Sequence, residues 1–149
     1  MTRWANAVPS RAEQQDTKRR AIIREAARVF NRRGSHGTTL DDVAERLGVT
    51  KPALYRYVAN KNALLAACHE EAMQIAEENL DEGERLGRTG LDKIRIAMTG
   101  YLRTMIGDLG VPILILEENA LSGESFAGVK ALRDAFEKRL RGLVAEGVA

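Results

Sequence analysis

The stretch from Thr39 to Lys61, TLDDVAERLGVTKPALYRYVANK, constrains the fold of this chain more than any other, because its capping and apolar signals are compatible with one arrangement: two short helices at a tight turn. Thr39 can cap a helix, and Asp42 three residues later completes a capping box in which each side chain satisfies a backbone N–H of the first turn. A helix therefore begins near Leu40. Leu40, Val43, Ala44 and Leu47 share one 3.6-period face, with Asp41, Asp42, Glu45 and Arg46 on the other, the pattern of a helix half sunk in a core. Gly48 ends it, since glycine takes the left-handed cap conformation without a Cβ penalty. Val49 plugs the turn, and Thr50 caps a second helix running through Leu54 and Tyr57. Pro52 falls in the first turn of that helix, where a missing N–H costs nothing and the Thr50 hydroxyl still meets the N–H of Ala53.

Small Ala44 lets the two helices approach, Gly48 makes the turn, and Leu54 locks the second helix to the core. This is the spacing of a helix-turn-helix. Thr50, Lys51, Pro52, Tyr55 and Arg56 are left facing outward at the start of the second helix, and such groups reach phosphates and base edges.

Residues 18 to 68 resemble the amino-terminal domain of the TetR family of bacterial transcriptional repressors. The resemblance rests on a first amphipathic helix with AARVF and a closing Gly34, then GTTLDDVAERLGV, TKPALYRYV and NKNALL. Many members have Phe where this chain has Val58, and an acid where it has Asn62. The resemblance implies that Thr39, Thr50, Tyr55, Tyr57 and Lys61 approach the phosphate backbone while Lys51, Pro52 and Ala53 face base edges in the major groove. The surface pattern agrees for most of these but leaves Tyr57 open, because its position also suits core packing. Lys61 follows the N-cap Asn60, so its amide and ammonium can meet one phosphate, with a solvated lysine as the alternative. Arg56 lies on the outer face without a fixed family role and is a secondary candidate contact.

Charge divides along the same line. Residues 1 to 61 hold 13 Lys and Arg against 6 Asp and Glu, a net +7; residues 62 to 149 hold 10 against 15, a net −5. The overall +2 conceals a basic head on an acidic body. A basic head gains sequence-independent affinity for DNA by counterion release, so binding is expected to weaken as salt rises.

Residues 1 to 16, MTRWANAVPSRAEQQD, are polar, aperiodic and contain Pro9, and are expected to form a flexible arm without the apolar run of a signal peptide. Helix one is then expected from Thr17. Ile22, Ile23, Ala26, Ala27 and Phe30 would pack on the helix-turn-helix, and Arg19, Arg20, Arg24 and Arg28 would face outward. The head accordingly spans residues 17 to 60.

Residues 61 to 149 read as a helical body. A linking helix from Lys61 to about Leu80 carries Leu64, Leu65, Cys68, Ala72, Ile75, Ala76 and Leu80 on its apolar side. DEGERLGRTG, residues 81 to 90, breaks the period and reads as a loop. Leu91, Ile94, Met98, Tyr101, Leu102, Met105 and Leu109 mark another helix, and Pro112 opens a short apolar one, ILILEENAL. A last helix runs from Ser125 through Val129, Leu132, Phe136, Leu140 and Leu143 to Gly147. No strand-like alternation occurs, so the expected fold class is all-α: a three-helix head joined by a long helix to a helical body.

The resemblance implies what such a body does: it binds a small, largely apolar effector and dimerises, so that two recognition helices stand about 34 Å apart on a palindromic double-stranded DNA operator. An effector that prefers the wrongly spaced state releases DNA by mass action. Met98, Tyr101, Met105 and Leu116 are candidate pocket-wall residues, with ordinary bundle core as the competing reading of each. PILILEENALSGE followed by VKALRDAFEKRLRGLVAEGVA resembles regulators of lipid and aromatic catabolism that respond to acyl-CoA thioesters. Family members commonly continue for about two further helices past AEGVA, which build the dimer interface, so a chain ending at Ala149 is expected to lack them and one wall of the pocket.

Catalysis finds little support. His36 and His69 are far apart in sequence, with His69 expected at an exposed or rim position. The single Cys68 excludes an internal disulfide and a multi-cysteine zinc site, and reads as a small core residue. Glu117, Glu118 and Glu124 have no metal-ligand spacing, and no phosphate loop or nucleophile motif is present. No cofactor, metal or membrane partner is expected, and the resemblance implies a cytoplasmic, nucleoid-associated protein. The readings that compete with a ligand-responsive repressor are a DNA-binding protein with a non-transcriptional role, such as chromosome organisation, and a helical binding module without DNA function.

Overall fold

The structure is a computed structural model that describes residues 8–109 and 120–148. Its described elements are α1 (Arg11–Arg33), α2 (Leu40–Leu47), α3 (Lys51–Tyr55), α4 (Lys61–Leu86), α5 (Gly90–Thr104), a single π-helical turn (Met105–Leu109) and α6 (Gly123–Val148). The fold is all-α, with no strand among the described residues. No helix among them is long and apolar enough to cross a membrane.

The first helix starts earlier than its apolar pattern indicates, at Arg11 rather than Thr17, so residues 11–16 are helical and not part of an arm. Its start is set by chemistry rather than burial. The Ser10 hydroxyl accepts the Glu13 N–H at 3.2 Å while the Glu13 carboxylate accepts the Ser10 N–H at 2.6 Å. These bonds also hold the Glu13 carboxyl below its ordinary pKa. Residues 11–19 are all exposed, and periodicity is silent where nothing is buried.

Ile23, Ala26, Ala27 and Phe30 of α1 pack with Leu40, Val43 and Ala44 of α2, Leu54 of α3 and Leu64 and Leu65 of α4, forming one core that unites the head with the start of the linking helix. Two of the arginines expected to face outward instead bind α1 to α4. Arg20 Nε lies 3.1 Å from both oxygens of Glu71, and Arg24 Nε lies 2.8 Å from one. Glu71 is itself buried, and the paired guanidinium groups stabilise a charge that would otherwise be costly to remove from water.

Helix α4 runs unbroken to Leu86, so the loop expected at residues 81–90 shrinks to Gly87–Thr89. Gly83 explains the difference. It is buried inside α4, and a Cβ there would collide with the Lys93 carbonyl of α5, so this glycine marks a close approach between helices rather than a break. Asn79 and Gly83 of α4 lie against Gly100 and Ala97 of α5, which makes the pair antiparallel. Helix α6 runs alongside α4: Asn62 donates to Ser125 Oγ at 3.0 Å near one end, and Arg139 reaches Asp81 at 2.8 Å, together with Glu77 and Glu84, near the other.

Among the described residues, α4, α5 and α6 of the body hold two apolar regions. Met105, Leu121 and Val129 extend the head core into it, and Leu80, Ala97 and Leu143 form a second cluster with Ile94, Phe136 and Leu140 packed around them. The helix expected to open at Pro112 lies outside the described residues. His69, expected at an exposed or rim position, is buried on α4 at 3% exposure. Cys68 is buried as a small core residue, its thiol donating to the Ile23 carbonyl at 3.5 Å and held protonated by burial.

Candidate DNA-binding surface

Local chemistry builds this surface. Thr39 caps α2: its hydroxyl accepts the Asp42 N–H at 3.1 Å, and Asp42 Oδ2 accepts the Thr39 N–H at 2.7 Å. The Thr39 hydroxyl also donates to Asp42 Oδ2 at 2.7 Å. Bonding to Thr39, with Arg33 nearby, holds the Asp42 carboxyl below its ordinary pKa. Gly48 closes α2 in the left-handed region, φ 65° and ψ 28°, and the Val49 N–H turns back to the Ala44 carbonyl at 3.0 Å. Thr50 then caps α3, its hydroxyl accepting the Ala53 N–H at 3.3 Å, with Pro52 in the first turn.

Helix α3 is only five residues long and is held from below by Leu54, which is fully buried. Fixing that side chain fixes the rest of the turn. Thr50, Lys51, Pro52, Tyr55 and Arg56 are exposed on one side of the head, Tyr55 at 45%, and Ala53 is half-buried beneath them. Thr39 is exposed at the start of α2. Tyr57 is half-buried and packs against the head core, so packing accounts for its position. Lys61 is half-buried in the first turn of α4, where the Asn60 side chain accepts the Ala63 N–H at 2.8 Å, and among the described residues it has no carboxylate partner.

One feature of the surface is not evident from the sequence pattern. Lys51 Nζ sits 2.9 Å from Asp41 Oδ1, an exposed pair that links the first residue of α3 to the first turn of α2. The hydrogen bond and charge of Asp41 raise the Lys51 pKa. Spacing puts Asp41 on the outer face of α2; its approach to Lys51 depends on the angle between the helices, which spacing does not encode.

The candidate effector residues are less concentrated. Met105 is buried in the core shared by head and body, Tyr101 is half-buried against that core, and Met98 is exposed among the described residues. Leu116 lies outside the described residues. Among the described residues, no group of three or more His, Cys, Asp or Glu is placed to hold a metal ion.

Comparison with known proteins adds to this geometry. Residues 22–68 match the model of the bacterial regulatory proteins, tetR family, and residues 87–149 match the tetracyclin repressor-like C-terminal domain. The chain is 47% identical over 58 residues to the tetracycline repressor protein class C of Escherichia coli, covering 39% of this chain and 26% of that protein. It is 42% identical over 84 residues to the HTH-type transcriptional regulator TtgR of Pseudomonas putida, covering 52% of this chain and 40% of the relative. The matches therefore span less than half the length of these two relatives. Among solved structures, AibR in complex with isovaleryl coenzyme A and operator DNA superposes with a TM-score of 0.70 at 26% identity, covering 85% of this chain and 70% of that one.

Proposed function

The chain belongs to the tetR family of bacterial regulatory proteins, and from that premise we propose that it is a sequence-specific DNA-binding repressor released from its operator by a small, largely apolar effector. The observation that carries this reading is the exposed α3 face, where Thr50, Lys51, Pro52, Tyr55 and Arg56 stand over a buried Leu54. A short helix held by one deep anchor presents its first turn to a groove without deforming.

On this reading, Tyr55, Thr39, Thr50 and Lys61 take phosphate oxygens and set the register of the head on the duplex, while Lys51, Pro52 and Ala53 face base edges. Arg56 adds a secondary contact. Tyr57 supports this face chiefly by packing. The functional form is a homodimer on a palindromic operator, each copy placing α3 in one of two successive major-groove faces about 34 Å apart. The effector enters the helical body, lined in part by Met98, Tyr101, Met105 and Leu116, and displaces α4, which is continuous from the head into the body. An acyl-CoA or a related lipid or aromatic compound is the favoured class, supported by the likeness to AibR, whose structure contains isovaleryl coenzyme A and operator DNA.

Fluorescence anisotropy on duplexes from upstream of the chain's own gene tests the reading. The expected result is a preferred site whose affinity falls with rising salt. No sequence preference at moderate salt would sink it. Tyr55→Ala is expected to weaken binding to every duplex alike, and Lys51→Ala also to change the preferred bases; equal losses on all duplexes for both variants would overturn the assignment of Lys51 to base readout.

A further inference from the structure

The inward face of α6 runs Val129, Arg133, Phe136, Leu140 and Leu143, alternating steps of four and three residues along one side of the helix. Four of these five are apolar and belong to or pack against the two apolar clusters. The fifth is an arginine. Val129 lies in the cluster shared with the head, whereas Phe136, Leu140 and Leu143 lie in the distal one, so Arg133 occupies the register between them. Apolar pattern favours Leu132 for this place, but Leu132 is 43% exposed and Arg133 is half-buried.

An arginine at a core register ordinarily has a carboxylate partner. Arg139, further along α6, meets Glu77, Asp81 and Glu84. Arg133 has no ion pair among the described residues. Two polar rings from the other body helices share its surroundings: buried His69 on α4 and half-buried Tyr101 on α5, both of which feel its charge. Neither ring has a hydrogen-bond partner among the described residues. No fully buried side-chain nitrogen or oxygen goes unbonded among the described residues, so the His69 nitrogens are not sealed in the interior there.

We propose that Arg133, His69 and Tyr101 form the head-group subsite for an anionic small molecule, a carboxylate or phosphate borne on an apolar chain that lies among α4, α5 and α6. The guanidinium takes the anion through two parallel N–H bonds, the tyrosine hydroxyl donates a third, and the imidazole donates its single N–H. Burial and the neighbouring Arg133 keep His69 neutral, so it acts as a donor rather than a second cation. Phe136 and Leu140, partly buried on the same face of α6, offer apolar surface to the chain. This subsite deepens the effector reading and rests on it.

Titration calorimetry without DNA tests the subsite, with sodium octanoate, octyl phosphate and octan-1-ol as probes. The wild-type protein should bind at least one anion about tenfold or more tighter than the alcohol, and the stronger anion identifies carboxylate or phosphate chemistry. Arg133→Met should erase the anion preference, Arg133→Lys should keep part of it, and Tyr101→Phe should weaken anion binding severalfold. Circular dichroism reports whether each variant folds, and Arg133→Lys with Tyr101→Phe carries the test if Arg133→Met does not. The proposal is overturned if the alcohol binds as tightly as both anions, if folded Arg133→Met keeps the preference, or if neither anion binds at millimolar concentration. A protein that binds anions but no DNA sinks the repressor reading alone, and one that binds DNA but no anion sinks the subsite alone.

Discussion

The head and the body are both helical, yet they are specified by different means. In the head, every helix start has a side-chain cap: Ser10 for α1, Thr39 for α2, Thr50 for α3 and Asn60 for α4. Its turn is set by one left-handed glycine, and its core closes over a few residues from each helix. In the body, glycines meet neighbouring backbones or side chains and an arginine occupies a core register, features whose meaning appears only when a second helix is in place. Local chemistry writes most of the head; in the body it reaches the start of α5, where Thr89 accepts the Asp92 N–H, and contacts between distant segments write the rest.

The sharpest way to break this contrast is Leu54→Ala. Leu54 is fully buried and is the single deep anchor of a five-residue helix, so its truncation should destabilise the head by about 2–5 kcal/mol. If head and body unfold as separate units, urea denaturation should show one transition moved and the other unmoved. A uniform shift would mean that the shared core, which runs from Ile23 to Val129, couples them into one cooperative unit.

An effect of similar size belongs to the body. Burial and the charge of Arg133 depress the His69 pKa from 6.5 to about 4. Between those values the unfolded chain binds a proton that the folded chain refuses, so the contribution is complete above about pH 6.5 and is lost as pH falls toward 4. Stability should therefore drop by up to roughly 3 kcal/mol across that window. His69→Gln should flatten the slope in urea midpoints measured from pH 4 to 7. An unchanged slope would assign the titration to another group.

The contrast also explains what could be read in the chain before its fold was known. Thr39, Asp42, Gly48, Thr50 and Pro52 act through bonds within a few residues, so α2, the turn, α3 and the exposed α3 face were all legible. Ser10 and Glu13 carry an equally local signal, but on an exposed turn, where apolar period is silent about the start of α1. Gly83 and Arg133 are different. Glycine commonly breaks helices and arginine commonly faces water, and only the approach of Lys93 or the register shared with Phe136 reverses those readings. Arg20 and Arg24 resemble a solvated face for the same reason: Glu71 lies some fifty residues away in sequence.

That pair joins the two regions, and Glu71→Gln tests the joint. The amide keeps the shape but leaves two partly buried guanidinium groups without their shared charge, a loss of about 1–3 kcal/mol. Urea denaturation should show that loss in the transition that also reports on α1. DNA affinity measured well below the melting temperature should change little if the clamp only holds α1 to α4. A large loss of affinity in a folded Glu71→Gln protein would instead make the clamp part of the route by which α4 positions the head.

The smallest effect falls on the reading surface and bears on how selective it is. Asp41 holds the Lys51 ammonium at 2.9 Å on an exposed face, and a carboxylate so placed opposes any phosphate that Lys51 approaches. Asp41→Asn removes that opposition and frees the ammonium. Affinity should rise severalfold on operator and non-operator duplexes, the dependence on salt should steepen by about one counterion, and the ratio between the two duplexes should narrow. Anisotropy at two salt concentrations on both duplexes measures all three quantities. A narrowed ratio would mean that Asp41 sharpens specificity by making non-specific attachment of Lys51 unfavourable, so that the lysine leaves its partner only where a base edge replaces it. Unchanged affinity on both duplexes would place the Lys51 ammonium away from DNA in the complex and return base readout to Pro52 and Ala53.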